Sequence, residues 1–160
     1  MIQSKWVFGK SEFDDIYDIR KKVFISELGL SEEVHFDSYD KRALHLIISE
    51  DEIKAAAGRL YEDEGKFYIG AIAVIPEARG KKIGDLLVRV LLNKAFELLA
   101  DEVYVYARKE SIGFYKTLNF AECGRTVRLE ENDIREVMKV TKESSPLNHS
   151  CSECEGCGHC

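Results

Sequence analysis

The chain has 160 residues, 45% of them hydrophobic and 32% charged, with a formal net charge of −6. That length suits one ordinary domain with a buried core, and the excess of acids argues against a general nucleic-acid binder, which needs a basic face for phosphates. No apolar run of about 18 residues is present to span a membrane, and the start, MIQSKWVFGK, lacks the basic segment and apolar core of a signal peptide, so a cytoplasmic protein is expected.

In chain order, residues 5–9 read as a short first strand. Ser11 is placed to cap a helix over residues 12–28, in which Phe13, Ile16, Tyr17, Ile19, Val23 and Phe24 follow helical spacing. The acidic stretch 31–40 reads as a loop with one helical turn. Its Glu32, Glu33, Asp37 and Asp40 suit either a solvated loop or a lure for a cationic amine. Residues 43–49 and 52–62 read as strands joined by a hairpin at Glu50-Asp51. Residues 65–75 form a nearly continuous apolar run, the mark of a strand covered on both faces.

A basic turn, Arg79-Gly80-Lys81-Lys82, follows. Ile83, Leu86, Leu87, Val90, Leu91, Ala95, Leu98 and Leu99 then repeat at three- and four-residue intervals, which predicts an amphipathic helix. A strand at 102–107, a short helix at 110–118 and closing strands at 121–129 and 135–140 complete the body. Trp6, Phe96, Tyr104 and Tyr106 are expected in the core, with Cys123 a buried small hydrophobe. Hairpins mixed with one or two crossovers predict an α+β fold: a mixed, mostly antiparallel sheet flanked by helices, not a doubly wound one.

The basic turn needs a reason. A helix start leaves backbone N–H groups unpaired and carries partial positive charge, so cations there are unfavourable unless an anion sits among them. Gly80 and Gly84 let an anion approach the backbone, and phosphate fits the chemistry. The Walker order of glycine and lysine is absent, and so is the G-x-G-x-x-G of a dinucleotide fold. Solvated turn residues remain the bland alternative.

AVIPEARGKKIGDLLV resembles the pyrophosphate-binding segment of the GNAT superfamily of N-acetyltransferases, Arg/Gln-x-x-Gly-x-Gly/Ala after a strand. Arg79 and Gly84 match, while Lys82 stands where the inner glycine is usual. Arg20, Val23, Phe24, Glu27 and His45 match a first-helix and second-strand pattern of a GNAT subgroup, with Leu28 in place of Gln. Phe114, Tyr115, Leu118 and Phe120 match a later helix, with Asn119 where glycine is usual and Arg108 where many members carry Asn. The resemblance covers residues 1–140.

What it implies is acetyl transfer from acetyl-CoA directly to a primary amine, small-molecule or peptide. The resemblance assigns the cofactor's pyrophosphate to Arg79, Gly80, Lys81, Lys82, Ile83, Gly84 and Asp85. It assigns the pantetheine arm to the backbone of Ile72, Ala73 and Val74, with Arg108 beside them. A backbone N–H near Val74 would serve the oxyanion. Tyr115 holds the family's position for a general acid, its alternative being a packing aromatic. The strand before the turn has no glutamate, so the base falls to Glu27 first and His45 second, although a lone histidine in an apolar strand is more often a satisfied core residue.

Four of the five cysteines lie in the last ten residues. Residues 142–150 look like a linker, so a body at 1–141 and a Cys-rich tail at 142–160 are expected. Cys151, Cys154, Cys157 and Cys160, with His149 and His159 in reserve, suit zinc or an iron–sulfur cluster, with redox-active or inert cysteines as alternatives. A reading from another class stays open: a non-catalytic CoA- or metal/redox-responsive binding module on the same fold. A homodimer and a protein partner for the tail also stay open.

Overall fold

The computed structural model describes residues 1–148, so the four tail cysteines, His149 and His159 lie outside the described residues. The described chain falls into two compact units, Met1–Leu92 and the part from Asn93 onward.

In the first unit, β1 (Ile2–Phe8), β2 (Leu44–Glu50), β3 (Ile53–Asp63) and β4 (Lys66–Val74) pair in sequence order, each antiparallel to the next. Leu46, Ile47 and Ile48 are at most 2% exposed, so β2 is buried on both faces. β3 and β4 slip register: Ala57 pairs with Ala73 and Arg59 with Gly70, leaving one extra residue on β4. Ala71 there has φ +49°, a left-handed bulge residue. The helix α3 (Ile83–Glu97) starts in this unit and turns Leu87, Val88, Leu91 and Leu92 fully inward. Gly58 on β3 makes room for both neighbours: a Cβ there would stand 2.8 Å from Ile72 and 2.9 Å from Leu91.

The first helix differs from its expected form. α1 runs Asp14–Arg20 and has no side-chain cap; the Ser11 hydroxyl donates to the Phe8 carbonyl instead. Glu12 at φ +52° turns the chain, and a helix cannot begin through that residue. From Lys21 to Glu27 the helix widens to π-form, with the Leu28 N–H reaching back to the Val23 carbonyl. Such widenings are rare and gather at functional sites. α2 (Glu32–His35) is one turn, capped by the Ser31 hydroxyl on the Val34 N–H.

The second unit holds β5 (Glu102–Arg108), α4 (Ile112–Thr117), β6 (Ala121–Glu130) and β7 (Asp133–Thr141). β7 lies between the other two, antiparallel to both. β5 buries Val103, Val105 and Ala107, and the two-residue period sends Tyr104 and Tyr106 to the other side, where they are half-buried. Trp6, Phe96 and Cys123 are likewise half-buried and not core. β4 is not covered on both faces either: only Ile69 and Ala73 are buried along it. Asn119 adopts φ +67° in the glycine's place and donates its amide to the Ser144 carbonyl. Ser145 is 1% exposed, so the segment read as linker is folded at its start.

Candidate active site

The turn between β4 and α3 is built from its backbone. Pro76 opens a short 3-10 turn, Pro76–Ala78, anchored by the buried Ile75 and Ala78. Gly80 then takes φ +80° and Lys82 φ +62°. Left-handed residues alternating with ordinary ones turn successive N–H groups toward one point, the geometry of an anion nest. Lys82, which stands where the resembled motif usually has glycine, thus adopts a left-handed conformation that glycine reaches at no steric cost. Its carbonyl accepts the Leu86 N–H, so Ile83, Gly84 and Asp85 form the first turn of α3 and their N–H groups have no helical partner. Asp85 pairs with Arg89 at 2.7 Å. Left-handed φ on a lysine costs about 1 kcal/mol. Lys82→Gly should therefore raise stability by about 0.5–1 kcal/mol in denaturant unfolding, with the loop's shape kept.

Arg79 faces back over the turn. Its Nε donates to the Val74 carbonyl at 3.1 Å, and its two Nη atoms donate to the two carboxylate oxygens of Glu27, each at 2.6 Å. Two residues singled out separately, one for cofactor and one for acid–base chemistry, are bound to each other. Glu27 reaches that place from the end of the π-helical segment. Lys81 pairs with Glu50 at 2.7 Å. Of the strand residues, Ile72 packs over Gly58, Ala73 is 1% exposed, and Val74 is half-buried.

His45 is elsewhere, inside a charged network. Arg20, Asp40 and His45 are 0% exposed and Arg59 7%. Arg20 donates from Nη1 to both Asp40 oxygens at 3.0 and 2.9 Å, and Arg59 donates to Asp40 at 2.8 Å. Arg59 also forks onto both oxygens of Asp37, at 2.6 and 2.8 Å. His45 has Nε2 3.1 Å from the Asp40 carbonyl and Nδ1 3.3 Å from Arg20 Nη2; one neutral tautomer, proton on Nε2, satisfies both. Burial above all, with the Arg20 charge behind it, pushes His45 down to about 4. Both ring nitrogens are committed within the protein and the ring is fully buried, the surroundings of a satisfied core histidine.

For Asp40, burial pushes the carboxyl upward, but the guanidiniums of Arg20 and Arg59 prevail and hold it below the ordinary carboxylate range. The acidic stretch thus divides: Glu32 and Glu33 are exposed, while Asp37 and Asp40 turn inward. Asp37 and Asp40 neutralise buried arginines, and Glu32 accepts the Tyr17 hydroxyl at 2.9 Å. Sequence reasoning missed this cluster. Arg59, a cation inside the apolar run AAAGRLY, was the signal, because a charge in a covered strand requires a partner.

In the second unit, Tyr115 on α4 is 5% exposed and meets Phe114 and Phe120 edge-on at 5.2 and 5.4 Å. Burial pushes its phenol up to about 12, while the charges of Arg108 and Arg135 pull the other way. Arg108 and Arg135 stand opposite each other in the β5–β7 register. Burial and then Arg135 draw the Arg108 pKa down, and Arg135 holds Asp133 with a two-pronged fork at 2.7 and 2.9 Å. Among the described residues there is no His, Cys, Asp and Glu group arranged to hold a metal, and no helix long and apolar enough to cross a membrane.

Among the described residues, seven strands with flanking helices match the fold of solved acyl-CoA N-acyltransferase structures. The chain belongs to the Acetyltransferase (GNAT) family, whose model matches residues 13–120. It is similar to the uncharacterized N-acetyltransferase YjcF of Bacillus subtilis, 25% identical over 114 residues that cover 70% of this chain and 81% of that one. Its fold is similar to an acyl-CoA N-acyltransferase from Pseudomonas aeruginosa, with a TM-score of 0.76 at 22% identity, covering 87% of this chain and 99% of that one. It is also similar to a GNAT family acetyltransferase from Elizabethkingia anophelis with acetyl-CoA bound, with a TM-score of 0.65 at 14% identity, covering 88% and 97%. These likenesses carry the expected fold class: a mixed sheet with flanking helices.

Proposed function

We propose that the protein transfers an acetyl group from acetyl-CoA directly to a primary amine. The observation that carries this reading is the nest at Arg79–Asp85, where Gly80 and Lys82 both take left-handed φ just before a 15-residue helix. A diphosphate there would meet the N–H groups of Lys81 to Asp85 and the helix's positive end. The pantetheine arm would run along the backbone of Ile72–Val74, and Pro76 would end that pairing because it has no N–H. A strand N–H near Val74 would stabilise the oxyanion of the tetrahedral intermediate, the kind of donor whose loss costs about 3–4 kcal/mol of barrier. In acetyl transfer the amine nitrogen attacks the thioester carbon, the C–S bond breaks, and the thiolate takes a proton.

Tyr115 is our acid for that proton. A phenol near 12 is fully protonated at neutral pH, which is the form required. Delivery to a thiolate of ordinary pKa near about 8.5 is uphill, and the guanidiniums of Arg108 and Arg135 offset part of that by stabilising the phenolate. Glu27 is our base. Tyr115→Phe should lower kcat by about 10²-fold while CoA binding stays unchanged.

The experiment is calorimetry with acetyl-CoA, followed by free-thiol release against a panel of amines. Binding with turnover on an amine supports the transferase; a chain that CoA neither binds nor protects from heat is not one. A second reading has its own support: Glu27 is held by Arg79, His45 is sealed, and β4 carries no acid between Phe67 and Val74. It is a CoA-responsive binding module, and tight binding without turnover on any amine would select it.

A further inference from the structure

Glu27 and Arg79 lie 52 residues apart in the chain and meet as a two-pronged ion pair. With the Nε bond to Val74, three of the arginine's N–H donors are already taken inside the first unit. The side chains are 44% and 33% exposed, so the pair can open without disrupting the core.

We propose that Glu27 competes with the cofactor's diphosphate for Arg79, so that cofactor entry turns the guanidinium away and releases Glu27 for the acceptor amine. This rests on reading Arg79–Asp85 as the diphosphate site. The exchange conserves charge pairing: one guanidinium leaves a carboxylate and takes a phosphate, and no bond to hydrogen is broken. A carboxylate that has lost its guanidinium binds a proton more readily, which is what a base for an ammonium group needs. The consequence is an order of events. Before the cofactor arrives, Glu27 is occupied by its own protein. After it arrives, an acceptor meets a carboxylate already in place.

CoA titrations by calorimetry on the full chain test this with wild type, Glu27→Gln, Arg79→Met and the double variant. All sites of change are at the surface, so the variants should fold. Glu27→Gln removes the competitor and should tighten CoA by about threefold to fivefold, the range of an exposed ion pair. Arg79→Met should weaken CoA, and in that background Glu27→Gln should change nothing, because the two residues act through one contact. If Glu27→Gln weakens CoA, Glu27 is an orienting support for Arg79 and the competition is overturned; an unchanged affinity overturns it as well. If CoA binds none of the four proteins, wild type included, the diphosphate site itself falls, and that failure is distinct from the others.

Discussion

Asp40→Ala should lower the unfolding free energy by about 3–5 kcal/mol, read as a shift of the denaturant midpoint. The size follows from what the carboxylate holds. Arg20 and Arg59 are both buried and both donate to it, leaving Asp37 as the other acid of the cluster. Without Asp40, Arg20 has the His35 carbonyl at 3.3 Å, the neutral His45 ring and two aromatic faces, centred 5.4 and 5.6 Å from its guanidinium. None of these carries a negative charge. Asp40→Asn should cost nearly as much, which separates the lost charge from the lost volume. Adding Arg20→Leu to Asp40→Ala should recover part of the loss, since an uncompensated charge costs more than an apolar replacement. Equal costs for the single and double variants would mean that the pair acts only through packing.

Acid should unfold the protein by way of His45. Its folded value of about 4 lies below the ordinary 6.5. The unfolded chain therefore takes up this proton first as pH falls. Stability from this group is complete above about 6.5, declines as pH drops through the interval, and is lost by about 4; the total is about 3 kcal/mol. His45→Gln keeps a donor for the Asp40 carbonyl and an acceptor for Arg20, yet does not titrate. Melting curves of the two proteins should start close together near pH 7 and diverge toward pH 4, the variant being flatter. Parallel curves would show that the ring is solvated and titrates normally.

Strands and helices were legible wherever apolar spacing alone decides the matter. α3 is the clearest case, because its three- and four-residue repeats leave one continuous inward stripe, and Leu87 and Leu91 lie on it. The turn at Arg79–Lys82 was legible from the resemblance, and Lys82 fits because only the backbone, not the side chain, has to match a glycine. Three things were not legible. The π-form at Lys21–Glu27 has no composition of its own, since widening a helix changes hydrogen-bond partners and not residue types. The tyrosines of β5 look like core by hydrophobicity, yet the strand's period places Val103 and Val105 inward instead. The Arg20–Asp40–Arg59 cluster joins α1, a 3-10 turn and β3, and no local pattern links residues that distant. Glu27 illustrates both sides: the residue stood out, but its bond to Arg79 depends on tertiary structure.

The extra residue on β4 makes the strand's length more critical than its composition. Residues before Ala71 and residues after it obey opposite parities: Ile69 lies across from Leu60, and Ile72, three positions on, covers Gly58 on the same side of the sheet. A substitution at Ala71 leaves that bookkeeping intact. Removing the residue does not, because everything from Ile72 to the start of the turn would then exchange inside for outside. Natural variation at this point should accordingly run through changes of residue type and never through a gap.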